Sequence, residues 1–200
     1  MSDLYFGKYR GRVEDNADPR QIGRLQVSVP ALLGNTIKLW AMPCVPYAGK
    51  NVGFFALPPK GANVWVEFEA GNIDYPIWVG CFWNEGEMPV KPAVADTKVF
   101  KTNTIELKLS DARNAGGVTL DIKSPAVSTP ITITADSKGF KLAIRSAQVT
   151  VSPSAIDIVL DPSSAQIKLS RGGIQIKNGG AQVKLDQVKV SLNNGALEVT

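Results

Sequence analysis

From Val118 onward the sequence alternates between apolar and polar residues almost to its last position. The segments are Val118-Leu120-Ile122, Ile131-Ile133, Phe140-Leu142-Ile144, Val149-Val151 and Ile156-Ile158-Leu160. They continue with Ile167-Leu169, Ile174-Ile176, Val183-Leu185, Val188-Val190-Leu192 and Leu197-Val199. Of the 14 positions skipped inside these segments, 12 are polar, Ala143 and Val159 being the exceptions. A period of two belongs to β-strands and gathers the apolar set on one face. Corner sequences separate the segments: Asp136-Ser137-Lys138-Gly139, Asp161-Pro162-Ser163-Ser164, Gly172-Gly173, Asn178-Gly179-Gly180 and Asn193-Asn194-Gly195. The pattern predicts an irregular repeat of strand plus corner.

Such a ribbon has a burial problem. Each strand offers two or three medium-sized apolar side chains, and Phe140 is the only aromatic residue after position 100. A thin ribbon encloses its own core poorly. A single-chain prism is geometrically possible, since three segments take roughly 25 residues. The small apolar payload suits a narrower shaft in which three intertwined chains share one core. Intertwining would also pair exposed strand edges with other chains.

The first half differs. Residues 1–100 hold 14 of the 15 aromatic residues, both cysteines and all four tryptophans. They carry ten basic and ten acidic residues, so the net charge of +4 belongs to the second half, with twelve and eight. The joint is placed between Glu85 and Lys101, where Pro89 and Pro92 interrupt regular structure. Before it, Lys8 to Glu14, Gly23 to Pro30, Ile37 to Met42, Val64 to Glu69 and Pro76 to Phe82 read as short strands. Five such strands, with no amphipathic helix, predict a small barrel of the OB kind. The domain expectations are an OB-fold at 1–88, a linker with the first shaft strand at 89–117, and a shaft at 118–200.

Absences narrow the chemistry. There is no histidine, which excludes His-based triads, His metal sites and imidazole acid–base work. Two cysteines are too few for a disulfide scaffold. No run of apolar residues is long enough for a membrane span, and Met1-Ser2-Asp3-Leu4 lacks a signal-peptide pattern. Synthesis in the cytoplasm is therefore expected.

The first-half residues resemble a known family. Gly11-Arg12-Val13-Glu14-Asp15 is followed by Gly23-Arg24-Leu25-Gln26-Val27, Trp40-Ala41, Gly53-Phe54-Phe55-Ala56-Leu57-Pro58 and Lys60-Gly61-Ala62-Asn63-Val64. Val66-Glu67-Phe68-Glu69-Ala70-Gly71, Tyr75-Pro76 and Val79-Gly80-Cys81-Phe82-Trp83-Asn84 complete the series. In order and spacing, residues 8 to 84 resemble the OB-fold domain of contractile-tail central spikes. These include phage baseplate assembly protein V and the valine-glycine repeat G proteins of type VI secretion. The strand-rich tail resembles that family's trimeric β-helical needle.

The resemblance implies an all-β protein, an N-terminal OB-fold barrel followed by an intertwined trimeric β-helix. It implies a structural, non-enzymatic homotrimer under a tail hub protein in the baseplate of a virion or injection particle. The shaft would touch the target membrane transiently, piercing it on sheath contraction. The chain departs from the family in having no room for a lysozyme domain and no histidines for an apical iron site. The glycine-containing octad repeat is only loosely visible. Its last apolar layer suggests a separate small tip protein seated on Leu197, Glu198, Val199 and Thr200.

No catalytic, cofactor or metal residue is assigned. Glu67 and Glu69, two apart on a strand, could form an acid–base pair, but exposed carboxylates ordinarily just face water. Asp15 and Asp18 beside Arg12 and Arg20 read as a turn. Cys44 and Cys81 read as reduced core or half-core thiols. Trp40, Trp65, Trp78, Trp83, Tyr9 and Tyr75 could stack bases; packing is the plainer reading, and no nucleic-acid partner is expected. Lys168, Lys177, Lys184 and Lys189 read as solubilising strand lysines or as contacts to anionic lipid. The alternative function is an OB-fold nucleic-acid or oligosaccharide binder with a trimerising β tail. A polysaccharide-cleaving enzyme would need clustered carboxylates, whereas Asp121, Asp136, Asp157, Asp161 and Asp186 are scattered. A receptor-binding fibre would need a varied, aromatic-bearing distal end.

Overall fold

The computed structural model describes residues 3–161 and 163–199, and the chain divides into two compact units between Met88 and Pro89. In the first unit lie β1 (Tyr9–Asp15), β2 (Leu25–Ser28), β3 (Leu39–Pro43), β4 (Ala48–Gly49), β5 (Val52–Gly53), β6 (Asn63–Phe68) and β7 (Pro76–Phe82). Five of them close a barrel in the order β1-β2-β3-β7-β6, and β4 and β5 form a small hairpin. The pair β3 and β7 is parallel; the other barrel pairs are antiparallel.

Alternation explains the barrel core. Val64, Val66 and Phe68 of β6 point inward and meet Val13, Leu25, Val27, Val29, Ala41 and Trp78. The indole N–H of Trp78 donates to the Gly23 carbonyl oxygen at 3.2 Å, which satisfies the one polar atom of that buried side chain. Gly11 is required for closeness: a Cβ there would meet Val66 at 2.8 Å and the Ser28 carbonyl oxygen at 3.0 Å. Beyond β2 the only helix among the described residues is the single turn α1 (Pro30–Leu33), apart from two short 3₁₀ turns.

The second unit is one twelve-stranded sheet. Its strands are β8 (Thr97–Lys101), β9 (Ile105–Ser110), β10 (Gly117–Ile122), β11 (Ile131–Asp136), β12 (Gly139–Ile144) and β13 (Ala147–Val151). There follow β14 (Ala155–Asp161), β15 (Ala165–Ser170), β16 (Gly173–Asn178), β17 (Ala181–Leu185), β18 (Val190–Leu192) and β19 (Leu197–Val199). All ten alternating segments hold a strand, with Val188 left in the corner before β18. Two more, β8 and β9, occupy the stretch expected to hold a linker and one strand. β9 carries the alternation Ile105-Leu107-Leu109, which lies before the segments that the sequence reading starts at Val118.

Each strand pairs antiparallel with its sequence neighbour, so the spatial order is the chain order. The hydrogen-bond ladder therefore runs within one chain from β8 to β19. Intertwining was expected to pair edges between chains; between β8 and β19 those edges are met by the chain itself.

The corners follow from residue chemistry. Asp136 accepts the Lys138 amide at 2.7 Å, and Asp161 accepts the Ser163 amide at 2.8 Å and its hydroxyl at 2.6 Å. Asp186 accepts the amides of Val188 and Lys189, both at 2.9 Å. These are Asx-type turns. Gly139 and Gly173 open β12 and β16 at φ 123° and 124°. A Cβ at either would collide with the carbonyl oxygen of Val151 or of Leu185 on the next strand.

Candidate functional site

The strand register turns the alternation into a continuous surface. One apolar row runs Leu109, Val118, Ala135, Phe140, Val151, Ile156, Leu169, Ile174, Leu185, Val190. A second runs Phe100, Leu107, Leu120, Ile133, Leu142, Val149, Ile158, Ile167, Ile176, Val183, Leu192, Leu197. A third, shorter row holds Ile105, Ile122, Ile131, Ile144 and Ala147. From β15 onward that row fades to Ala165, Asn178 and Ala181. The face is about three side chains wide in its first half and two in its second.

Among the described residues, nothing in the second unit covers this face. Ile158, Ile176, Phe140 and Phe100 expose 45, 46, 41 and 51 % of their surface. A patch spanning twelve strands far exceeds the few hundred Å² of contiguous apolar surface that monomers usually tolerate, and such patches mark association sites. The opposite face carries Lys108, Thr119, Thr134, Lys141, Thr150, Asp157, Lys168, Gln175, Lys184 and Ser191 in one row. Both exceptions to the sequence alternation, Ala143 and Val159, lie in its second row, on either side of Gln148. There Val159, between Gln148 and Gln166, is 8 % exposed.

The chemical candidates disperse. Glu67 pairs with Lys8 on β6, whereas Glu69 lies in the 3₁₀ turn Glu69–Gly71, so the two do not share a strand face. Asp15 caps the Ala17 amide at 3.0 Å and pairs with Lys60 at 3.0 Å. Asp18 organises its loop. It accepts the amides of Arg20, Ile22 and Arg24 and the guanidinium of Arg24, Nη2 at 2.7 Å. That guanidinium, with the amides, holds the carboxyl well below the usual carboxylate range although its side chain is only 3 % exposed. The sequence suggested Arg12 and Arg20 as neighbours and missed Arg24, whose guanidinium also lies 5.1 Å from the Trp40 ring centre.

The two cysteines are free thiols and both are exposed, not core or half-core. The aromatic residues divide among separate places. Trp78 is core, Tyr9 packs on Phe68, Trp65 lies with Phe82 under Arg10, and Tyr75 and Trp83 are exposed. Of the shaft aspartates, Asp121 accepts the Thr132 hydroxyl at 2.7 Å, and Asp157 lies 3.9 Å from Lys168. The remaining three hold corners. Among the described residues no three Cys, Asp or Glu come together as a metal site, and no helix is long and apolar enough to cross a membrane. Leu197 is 57 % exposed. The side chains of Glu198 and Val199, and all of Thr200, lie outside the described residues.

Comparison with known families joins the two units. Residues 9–83 match the type VI secretion system/phage-baseplate injector OB domain. Residues 158–198 match the phage baseplate V C-terminal trimerisation domain. The chain belongs to the phage baseplate V family. The two matches together span more than half of it, and the first covers the barrel whose motifs carried the resemblance. No curated protein matches the chain. Membership gives this baseplate V chain a structural role in an injector baseplate and assigns its distal sheet to self-association. The apolar face supplies the physical means. The two-row half of that face, from β15 onward, falls within the matched trimerisation domain.

Proposed function

We propose that the chain is the central spike of a contractile injection machine, a homotrimer seated under the tail-tube hub. Its observational support is the apolar face, which continues without a polar interruption in its middle row from Phe100 into the trimerisation domain. Three copies laid face to face about a three-fold axis would bury the apolar rows and turn the Lys, Thr and Gln rows to water. The barrel at 1–88 faces the hub, the segment 89–117 leads into the shaft, and residues 118–200 form the part directed at the target. Strands stacked at about 4.8 Å make a shaft roughly 50 Å long, held by a continuous ladder of backbone hydrogen bonds. A body of that kind transmits axial force, which suits passage through an envelope when the sheath contracts. It acts without catalysis, in the baseplate of a phage or related particle. The distal residues Leu197, Glu198, Val199 and Thr200 contact a separate small tip protein.

Absolute mass by light scattering tests the reading. A value near three times 21.4 kDa is expected for the full chain; a well-folded monomer overturns it. Deleting 196–200 is expected to abolish tip-protein pull-down, and unchanged pull-down would remove the tip contact.

A further inference from the structure

The apolar face is uneven at one hairpin. In its third row, Ala147 of β13 pairs with Ile144, and Leu160 of β14, which is 64 % exposed, borders the same place. The short side chain leaves a hollow of about 180 Å³ lined by Leu142, Ile144, Val149, Ile158 and Leu160 of this face and reached by Gln148 and Val159 between them. Nearly every atom exposed in it is apolar. At the other end of the same hairpin, in the first row, Phe140 stands between the smaller Ala135 and Val151. One hairpin thus carries a knob at one end of the face and a hole at the other. The two lie roughly 13 Å apart, four residues along a strand.

The next step rests on the three-fold reading above and on the continuity of this face with the trimerisation domain. A three-fold axis rotates without translating, so contacts join the same level of neighbouring copies. They are also heterologous: one end of a face meets the opposite end of the next. At the level of β12 and β13 those ends are Phe140 and the hollow over Ala147. A dry apolar cavity of about 150 Å³ holds one benzene molecule, so the hollow fits a phenyl ring. We infer that Phe140 of each copy seats in the hollow over Ala147 of the next copy. The contact locks the height of the three chains against one another in the wide half of the shaft, where the matched trimerisation domain begins.

A cysteine pair tests the contact. In the full chain, Cys44→Ser and Cys81→Ser remove the native thiols, and Phe140→Cys with Ala147→Cys installs the reporters. Within one chain the two positions are too far apart for a disulfide, which needs Cα atoms within about 7 Å. Mild oxidation should give a covalent trimer on a non-reducing gel, and neither single-cysteine variant should. A covalent dimer as the end product overturns the three-fold arrangement. Absence of cross-linking in a protein that light scattering weighs as a trimer overturns the Phe140 contact and leaves the trimer standing. A monomeric parent chain removes both. Should the cysteine variant fail to assemble, a size-swap cycle decides. Phe140→Ala and Ala147→Phe should each raise the half-dissociation concentration by about tenfold or more. The double variant should recover most of that loss, whereas simple addition of the two effects overturns the contact.

Discussion

Replacing Ile176 by aspartate should dissolve the trimer and leave the single chain almost untouched. Ile176 lies in the middle row, within the trimerisation domain, and is 46 % exposed in the lone chain. About half of its transfer free energy, roughly 1 kcal/mol, thus remains to be gained when partners cover it. An unpaired carboxylate forced into that place costs about 3 kcal/mol more. Three copies at one level bring the loss to roughly 12 kcal/mol per trimer, about nine decades in the association constant. The half-dissociation concentration varies as the square root of that constant, so it should rise by about four decades. Gln175→Asp is the matched control, with the same charge change one residue away on the opposite face. It loses a hydrogen bond to Gln182 (2.7 Å in the structure), worth about 1 kcal/mol. Sedimentation velocity over a wide range of loading concentrations should find Ile176→Asp monomeric and Gln175→Asp trimeric, with similar circular dichroism. An Ile176→Asp trimer, or equal dissociation of both variants, would refute the assignment of the inner face.

Further outcomes follow from single residues. Gly173→Ala should cost about 1–3 kcal/mol, because φ at 124° and the Leu185 carbonyl both oppose a side chain. Gly180→Ala, with no atom near its would-be Cβ, should leave the melting temperature unchanged within error. Trp78→Ala should destabilise the barrel by about 3–5 kcal/mol, seen as a lower urea midpoint of the first unit's transition. Asp18 has its folded pKa below the ordinary value of 3.8, mainly through Arg24. Its contribution is therefore complete above that value and fades as pH falls through and below it. The stability gap between the parent and Asp18→Asn should be constant from neutral pH to about pH 4 and narrow under it; a gap that widens on acidification would contradict the pairing.

Much of the architecture was legible because strand periodicity is a local property. Once Ile174 and Ile176 flank Gln175 in an extended chain, their shared face needs no knowledge of the rest of the fold. The aspartate and glycine corners were legible for the same reason: an Asx turn or a positive φ is decided within a few residues. Family motifs in residues 8 to 84 located the barrel, since closing five short strands demands a tight glycine at Gly11 and alternating apolar residues in β6.

Other features depended on which distant segments met. Arg24 rather than Arg20 binds Asp18 because the loop folds back to place the guanidinium and three amides on one carboxylate. Glu69 left the strand because the chain turns after Phe68. The stretch 89–117 reads as a linker with one strand; Pro89 and Pro92 lie before any strand of the sheet, but two strands rather than one follow them, because Leu107 and Leu109 find Leu120 and Val118 across the ladder. By itself, then, the sequence determined that the second half would be strands with one apolar face, because alternation sorts side chains without help from neighbours. Only the tertiary structure decided that these strands pair in chain order within one molecule. Register is fixed when backbone edges meet, and it is the register that gathers scattered pairs of apolar residues into one uncovered surface.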